Sequence, residues 1–217
     1  MKGLLFDCDG LLFETEIISN LMWKEAAHHF QKELPEDFFE HITGSGGENT
    51  VEYIRSIGFE DIFDYTKKKR FDLSFWSSIQ RDCINRLGLI PLFQWLDTQS
   101  YLRAVCSSSQ VEYVKTLLNT VSYPLHFSAI VGGDLVKRAK PDPDIFLLGA
   151  KALGLNPEDC WVLEDSKAGL MAAKRAGMTT IFIEDTISKD SEMDAYIDFQ
   201  CHNLEEVISL IKENSNE

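Results

Sequence analysis

Two aspartates separated by one residue, Asp7 and Asp9, stand at the end of the apolar run in LLFDCDGLLFETE, and Gly10 follows at once. Three further clusters of reactive side chains repeat that placement. Ser107, Ser108 and Ser109 follow YLRAVC; Lys140, ahead of Pro141, comes a short link after SAIVGG; Glu164, Asp165 and Ser166 follow CWVL. Side chains two apart on a strand point to the same side, and a glycine lets the backbone turn sharply. Asp7 and Asp9 can therefore face one pocket. Two carboxylates pressed together repel, and the usual remedies are a bound cation or a shared proton. Asp165 adds a third oxygen donor, which favours a hard cation such as Mg²⁺. Lys140 and the Ser107 hydroxyl would then hold a tetrahedral oxyanion.

The elements that must position these groups follow from the apolar pattern. Residues 2–6, YLRAVC, SAIVGG, CWVLED and TTIFIED read as short, continuously apolar strands. Between and after them, helices are expected over roughly 89–98, from about Val111 (with Ser109 as N-cap), over KPDPDIFLLGAKALG with Gly154 as its stop, over SKAGLMAAKRAG and over NLEEVISLIKEN. Strands alternating with helices mean βαβ units and a parallel sheet, and burial on both faces explains the unbroken apolar runs. The expected fold class is α/β, with a Rossmann-like parallel sheet core. Ligands of such a sheet bind beyond the carboxyl ends of its strands, where all four clusters fall. Residues 14–86 contain no convincing strand. They read as an all-helical insert after the first strand, with helices over 14–30, TVEYIRSIG and 60–86 and a loop at HITGSGGENT. The core is then 1–13 and 87–217, ending in a frayed KENSNE tail.

Composition narrows the partners. The 217 residues carry a formal net charge of -14, which disfavours nucleic acid and anionic membranes. An anionic substrate would need a local positive centre. No apolar run approaches the ~18 residues of a membrane span, and the N-terminus reaches two acids too early for a signal peptide. Five cysteines without a CxxC pair imply a reducing, cytoplasmic setting. The sequence does not choose between monomer and dimer. GSGGEN follows no strand and is no dinucleotide fingerprint, and KKKR (67–70) reads as a solvated helix face. Phe71, Phe75 and Trp76 have the spacing of a helical core, and Trp23 is either core or a specificity surface. The five histidines show no metal-ligand spacing, and Cys8, Cys106 and Cys160 read as buried packing residues.

FDCDG, VCSSS, AKPDPDIF and VLEDSKAGLMAAKRAG, in this order, resemble the four motifs of the haloacid dehalogenase superfamily of phosphohydrolases. The insert is similar to the small α-helical cap of its phosphoglycolate phosphatase and β-phosphoglucomutase branch. The resemblance implies an Mg²⁺-dependent phosphatase of a small phosphorylated metabolite, with an aspartyl-phosphate intermediate. Asp7 would be the nucleophile, and Asp9 would protonate the leaving oxygen and then activate water. Ser107, Ser108 and Lys140 would bind the phosphoryl oxygens. Mg²⁺ would sit on the Asp7 carboxylate, the Asp9 backbone carbonyl and Asp165, with Glu164 supporting it. An acid at position 9 favours phosphate esters over halides, because a halide needs no proton. The chain departs from the family pattern at Leu11, where threonine is common, and at Glu14, where aspartate is common. Ser19 and Gly47 stand where the mutase branch carries histidine and arginine, which favours hydrolysis. A phosphotransferase or mutase, or a non-catalytic phosphometabolite-binding protein, are the alternatives. Asp7 and Asp9 taken alone also fit a glycosyltransferase-type metal site or a surface turn.

Overall fold

The structure is a computed structural model that describes residues 2–42, 47–184 and 191–214. The chain forms two compact units, one of Met1–Glu14 with Arg81–Glu217 and one of Thr15–Gln80. In the first, strands β1 (Gly3–Phe6), β2 (Leu102–Ser107), β3 (Ala129–Gly132), β4 (Cys160–Glu164), β5 (Thr179–Ile183) and β6 (Phe199–Cys201) form one sheet in the order β3-β2-β1-β4-β5-β6. All its pairings are parallel. β1 is central and buried along its whole length, so it has no polar face, as a strand covered on both sides must not.

The second unit contains helices α1 (Thr15–His29), α2 (Phe38–Ile42), α3 (Gly47–Ser56), α4 (Glu60–Lys69) and α5 (Leu73–Ser78). Its buried cluster is Trp23, Ala26, Ala27, Phe38, Ile54 and Ile62. Trp23 meets Phe38 edge-on at 5.0 Å and stacks on Phe63 at 6.0 Å, so it is a core residue. It also lines a cavity of about 410 Å³ together with Ser19, Met22, Lys67 and Arg70.

The remaining helices are α6 (Leu89–Leu96), α7 (Val111–Leu118), α8 (Asp144–Leu153), α9 (Lys167–Arg175) and α10 (Glu206–Asn214). The period-2 alternation of β1 separates two layers. Leu5 clusters with Ile145, Phe146 and Ala150 of α8 and Ala172 and Ala173 of α9. Phe6, pointing the other way, meets Phe93 of α6 at 5.5 Å and Phe127 at 5.7 Å.

Several expectations need correction. β6 was not legible: its three residues, Phe-Gln-Cys, show no apolar run. The helix expected over 60–86 breaks twice. Asp72 caps α5 by accepting the Ser74 and Phe75 amides, and after α5 the backbone passes through a left-handed Asp82 at φ 64°. Residues 81–86, read as part of the insert, pair instead with the first unit: Asp82 N–H donates to the Thr120 carbonyl, Arg86 N–H to Leu12, and Glu14 N–H to Ile84. Phe71 is 49% exposed, whereas Trp76 is buried. In KKKR, Lys67 lies 4.0 Å over the Phe63 ring and Lys69 pairs with Glu25 at 2.7 Å, so this face is engaged as well as solvated. The loop expected at HITGSGGENT already turns helical at Gly47, while its Thr43–Gly46 stretch lies outside the described residues. Asp185 at the end of TTIFIED, and 215–217 of the tail, also lie outside them.

Candidate active site

The carboxyl ends of β1, β2 and β4 bring together groups that are far apart in sequence. Asp7 directly follows β1, and its N–H extends the ladder by donating to the Leu163 carbonyl at 3.1 Å. Gly10, at φ 81°, then reverses the chain, a conformation that suits glycine. Gly10 N–H donates to Phe13, and Leu12 N–H donates back to Cys8. Leu11, Leu12 and Phe13 are fully buried and anchor this turn. That explains why the sequence stays apolar after the strand has ended, and Leu11 acts here as packing.

The Lys140 side chain is buried beside these groups, only 6% exposed, and its ammonium contacts Asp7 Oδ1 and Glu164 Oε1. It also lies 4.9 Å over the Phe146 ring. Glu164 is fully buried, and its other oxygen accepts the N–H groups of Asp165 and Ser166 and the Ser166 hydroxyl at 2.9–3.0 Å. Glu164 thus closes the turn into α9 while it holds Lys140. Ser166 caps α9 through Gly169 N–H.

Gly169 is required by that carboxylate. A Cβ at position 169 would lie 1.7 Å from Glu164 Oε1. In an ordinary helix interior, Gly→Ala stabilises by about 1 kcal/mol. Here Gly169→Ala is expected to have the opposite sign, about 2–3 kcal/mol destabilising by overpacking. Urea titration measures it, and a stabilised variant would contradict the contact.

Asp7, Glu164 and Asp165 each place a carboxylate oxygen within 4.8 Å of the others. When ionised they carry more negative charge than the Lys140 ammonium balances. Burial is the main cause that pushes the Asp7 carboxyl up, to about 7; Lys140 opposes the rise, and Glu164 and Asp9 add to it. Burial also disfavours the Lys140 ammonium, but the Asp7 and Glu164 carboxylates outweigh it and hold Lys140 above its ordinary value. Excess negative charge on three hard oxygen donors is what a divalent cation neutralises, so these residues fit Mg²⁺. Cys8 is fully buried, and burial together with Asp9 and Asp7 pushes its thiol well up. That argues against a reactive thiolate between the two acids.

Asp9 faces a different partner. Its Oδ2 accepts the Ser109 hydroxyl at 2.8 Å and the Ser107 hydroxyl at 3.3 Å. Ser109 is therefore not the α7 cap; Gln110 precedes that helix and makes no side-chain cap bond. Ser107 is 1% exposed, and Ser108 is exposed. All the residues expected from the sequence thus lie at the carboxyl edge of the sheet, with Ser108 on the outside. The Ser109–Asp9 bond was missed, because a serine just ahead of a helix looks like a cap.

The family model described as haloacid dehalogenase-like hydrolase matches residues 4–183. A CBBY-like protein of Arabidopsis thaliana is 31% identical over 213 residues; the match covers 89% of this chain and 66% of that protein, so the chain spans slightly less than two thirds of its length. A β-phosphoglucomutase of Bacillus subtilis is 30% identical, covering 83% of this chain and 82% of that protein. A fructose-1-phosphate phosphatase of Escherichia coli is 29% identical, covering 82% and 94%. Among solved structures, a putative β-phosphoglucomutase from Thermotoga maritima superposes with a TM-score of 0.79 at 24% identity, covering 98% of this chain and 99% of that one.

Proposed function

This chain belongs to the haloacid dehalogenase-like hydrolase family, and on that premise we propose that it is a cytoplasmic, Mg²⁺-dependent phosphatase of a small phosphorylated carbohydrate, with the Thr15–Gln80 unit as its cap. The observation that carries the reading is the gathering of Asp7, Asp9, Ser107, Lys140, Glu164 and Asp165 at one sheet edge. The names of these Bacillus subtilis and Escherichia coli relatives both refer to phosphorylated sugars, which supports the substrate class. The five cysteines are all free, consistent with a reducing compartment. Among the described residues, no helix is long and apolar enough to cross a membrane.

Asp7 acts as the nucleophile. One of its carboxylate oxygens forms a bond to phosphorus while the bond from phosphorus to the leaving oxygen breaks. Asp9 gives its proton to that oxygen. In the second step Asp9 takes a proton from water, the water oxygen bonds to phosphorus, and the Asp7–phosphorus bond breaks to release inorganic phosphate. Lys140 stands against Asp7 and would bind an equatorial phosphoryl oxygen together with Ser107. Asp7, Asp165 and the Asp9 carbonyl would hold Mg²⁺ with Glu164 beside them; when bound, the ion supplies charge neutralisation between nucleophile and phosphate.

Phosphate release from a panel of sugar phosphates tests the reading. EDTA is expected to silence the enzyme and added Mg²⁺ to restore it; activity that persists in EDTA would refute the metal requirement. The similarity to a β-phosphoglucomutase favours a second reading, transfer to another sugar hydroxyl. Ser19 and Gly47 in place of the histidine and arginine of that branch count against it. Incubation with a sugar 1-phosphate separates the two: free phosphate supports hydrolysis, and sugar 6-phosphate supports the mutase.

A further inference from the structure

The serine loop after β2 does more than offer a phosphate ligand. Ser109 Oγ donates to Asp9 Oδ2 at 2.8 Å, and Ser109 N–H donates to Ser107 Oγ at 3.0 Å. Ser107 Oγ donates to the same Asp9 oxygen, at the longer distance of 3.3 Å. The loop itself is tied down, because Gly133 N–H donates to the Ser109 carbonyl at 2.9 Å. A serine hydroxyl carries one proton. If Ser107 donates to a phosphoryl oxygen, it no longer donates to Asp9. Ser109 then supplies the remaining hydroxyl bond to that carboxyl, at Oδ2, which leaves Oδ1 to carry the travelling proton.

We propose that Ser109 is the positioning residue of the Asp9 acid/base, and that arriving substrate takes over the Ser107 proton while Ser109 keeps Asp9 in place. This rests on the phosphatase reading above. In the first half-reaction the Asp7 oxygen bonds to phosphorus, the bond from phosphorus to the leaving oxygen breaks, and the proton on Asp9 Oδ1 moves to that oxygen. Ser109 takes no part in the bonds that change; it sets where Oδ1 points.

A positioning role predicts a loss that depends on the leaving group. A poor leaving group needs the proton of Asp9, whereas p-nitrophenolate leaves nearly without it. The probes are phenyl phosphates from p-nitro to p-methoxy, with Mg²⁺ present. The quantity compared is kcat/KM, which reports the first phosphoryl transfer and is not affected by slow hydrolysis of the intermediate. Ser109→Ala is expected to lose about tenfold to a hundredfold on the p-methoxy compound, a part of the 10²–10⁴ of general acid catalysis, and at least fivefold less on the p-nitro compound. The isosteric pair Ser109→Thr and Ser109→Val repeats the comparison with and without a hydroxyl at constant volume, with Thr restoring most of the loss. In an Asp9→Asn background, Ser109→Ala is expected to add nothing. An equal loss across the series, an unchanged series, no difference between Thr and Val, or a full further loss on top of Asp9→Asn each overturns the proposal while leaving the phosphatase reading standing. A wild type that releases phosphate from none of the compounds overturns both.

Discussion

Asp7→Asn is expected to lower kcat for phosphomonoesters by about 10⁴-fold or more, the scale of losing a covalent nucleophile. The amide is nearly isosteric but cannot attack phosphorus. The same variant is expected to be more stable than the wild type without metal at neutral pH. Asp7 is raised to about 7 in the folded chain against an ordinary value of 3.8. Between those two values the folded state binds more protons than the unfolded one, so metal-free stability falls as pH rises through that window. The sign is opposite to that of an aspartate held low by an ion pair, because burial outweighs the Lys140 ammonium, which Asp7 shares with Glu164. The shift bounds the cost at about 4 kcal/mol, and asparagine removes it. Urea unfolding in EDTA is expected to show the advantage of Asp7→Asn at pH 8 and little of it at pH 4. Wild-type-like turnover would sink the nucleophile role, and a variant less stable at pH 8 would sink the electrostatic account.

Lys140→Met is the second large effect, and it acts on stability as well as rate. Removing the ammonium leaves Asp7 and the fully buried Glu164 facing each other without a cation. Breaking one partner out of a buried ion pair costs about 3–5 kcal/mol. The expected result is a loss of that order in EDTA at pH 8, with part of it recovered in millimolar Mg²⁺, because a divalent ion held by this acidic cluster would supply positive charge beside the same carboxylates. Turnover is expected to fall by about 10³-fold even when folding is restored, since the phosphoryl group loses a fixed cation. Lys140→Arg is not expected to rescue, because a planar fork does not fit where a compact ammonium sits between two carboxylates. Stability equal to the wild type in EDTA would mean that the two carboxylates do not depend on Lys140.

Much of this site was legible because it obeys local rules. A strand buried on both faces has to be apolar, so a polar cluster just after an apolar run marks a strand end. β1, β2 and β4 each show that pattern, and parallel order puts such ends on one edge. The second step, from edge to bond, was not legible. Ser109 looked like a helix cap because capping is a short-range preference. The structure gives its hydroxyl to a carboxylate 100 residues earlier in the chain. Lys140 reads in sequence as a phosphate ligand, yet it reaches Asp7, 133 residues away, and Glu164, 24 residues away.

The sequence by itself determined the α/β core, the helical insert after β1, and which residue types stand at the strand ends. These follow from hydrophobic periodicity and turn chemistry, which act over a few residues. Only the tertiary structure decided the partners: Asp9 with the serine loop, Lys140 between Asp7 and Glu164, and residues 81–86 returned to the core unit. The physical reason is that a charged or hydroxyl group is satisfied by whatever the packed sheet brings within about 3 Å, and sequence distance places no limit on which residue that is.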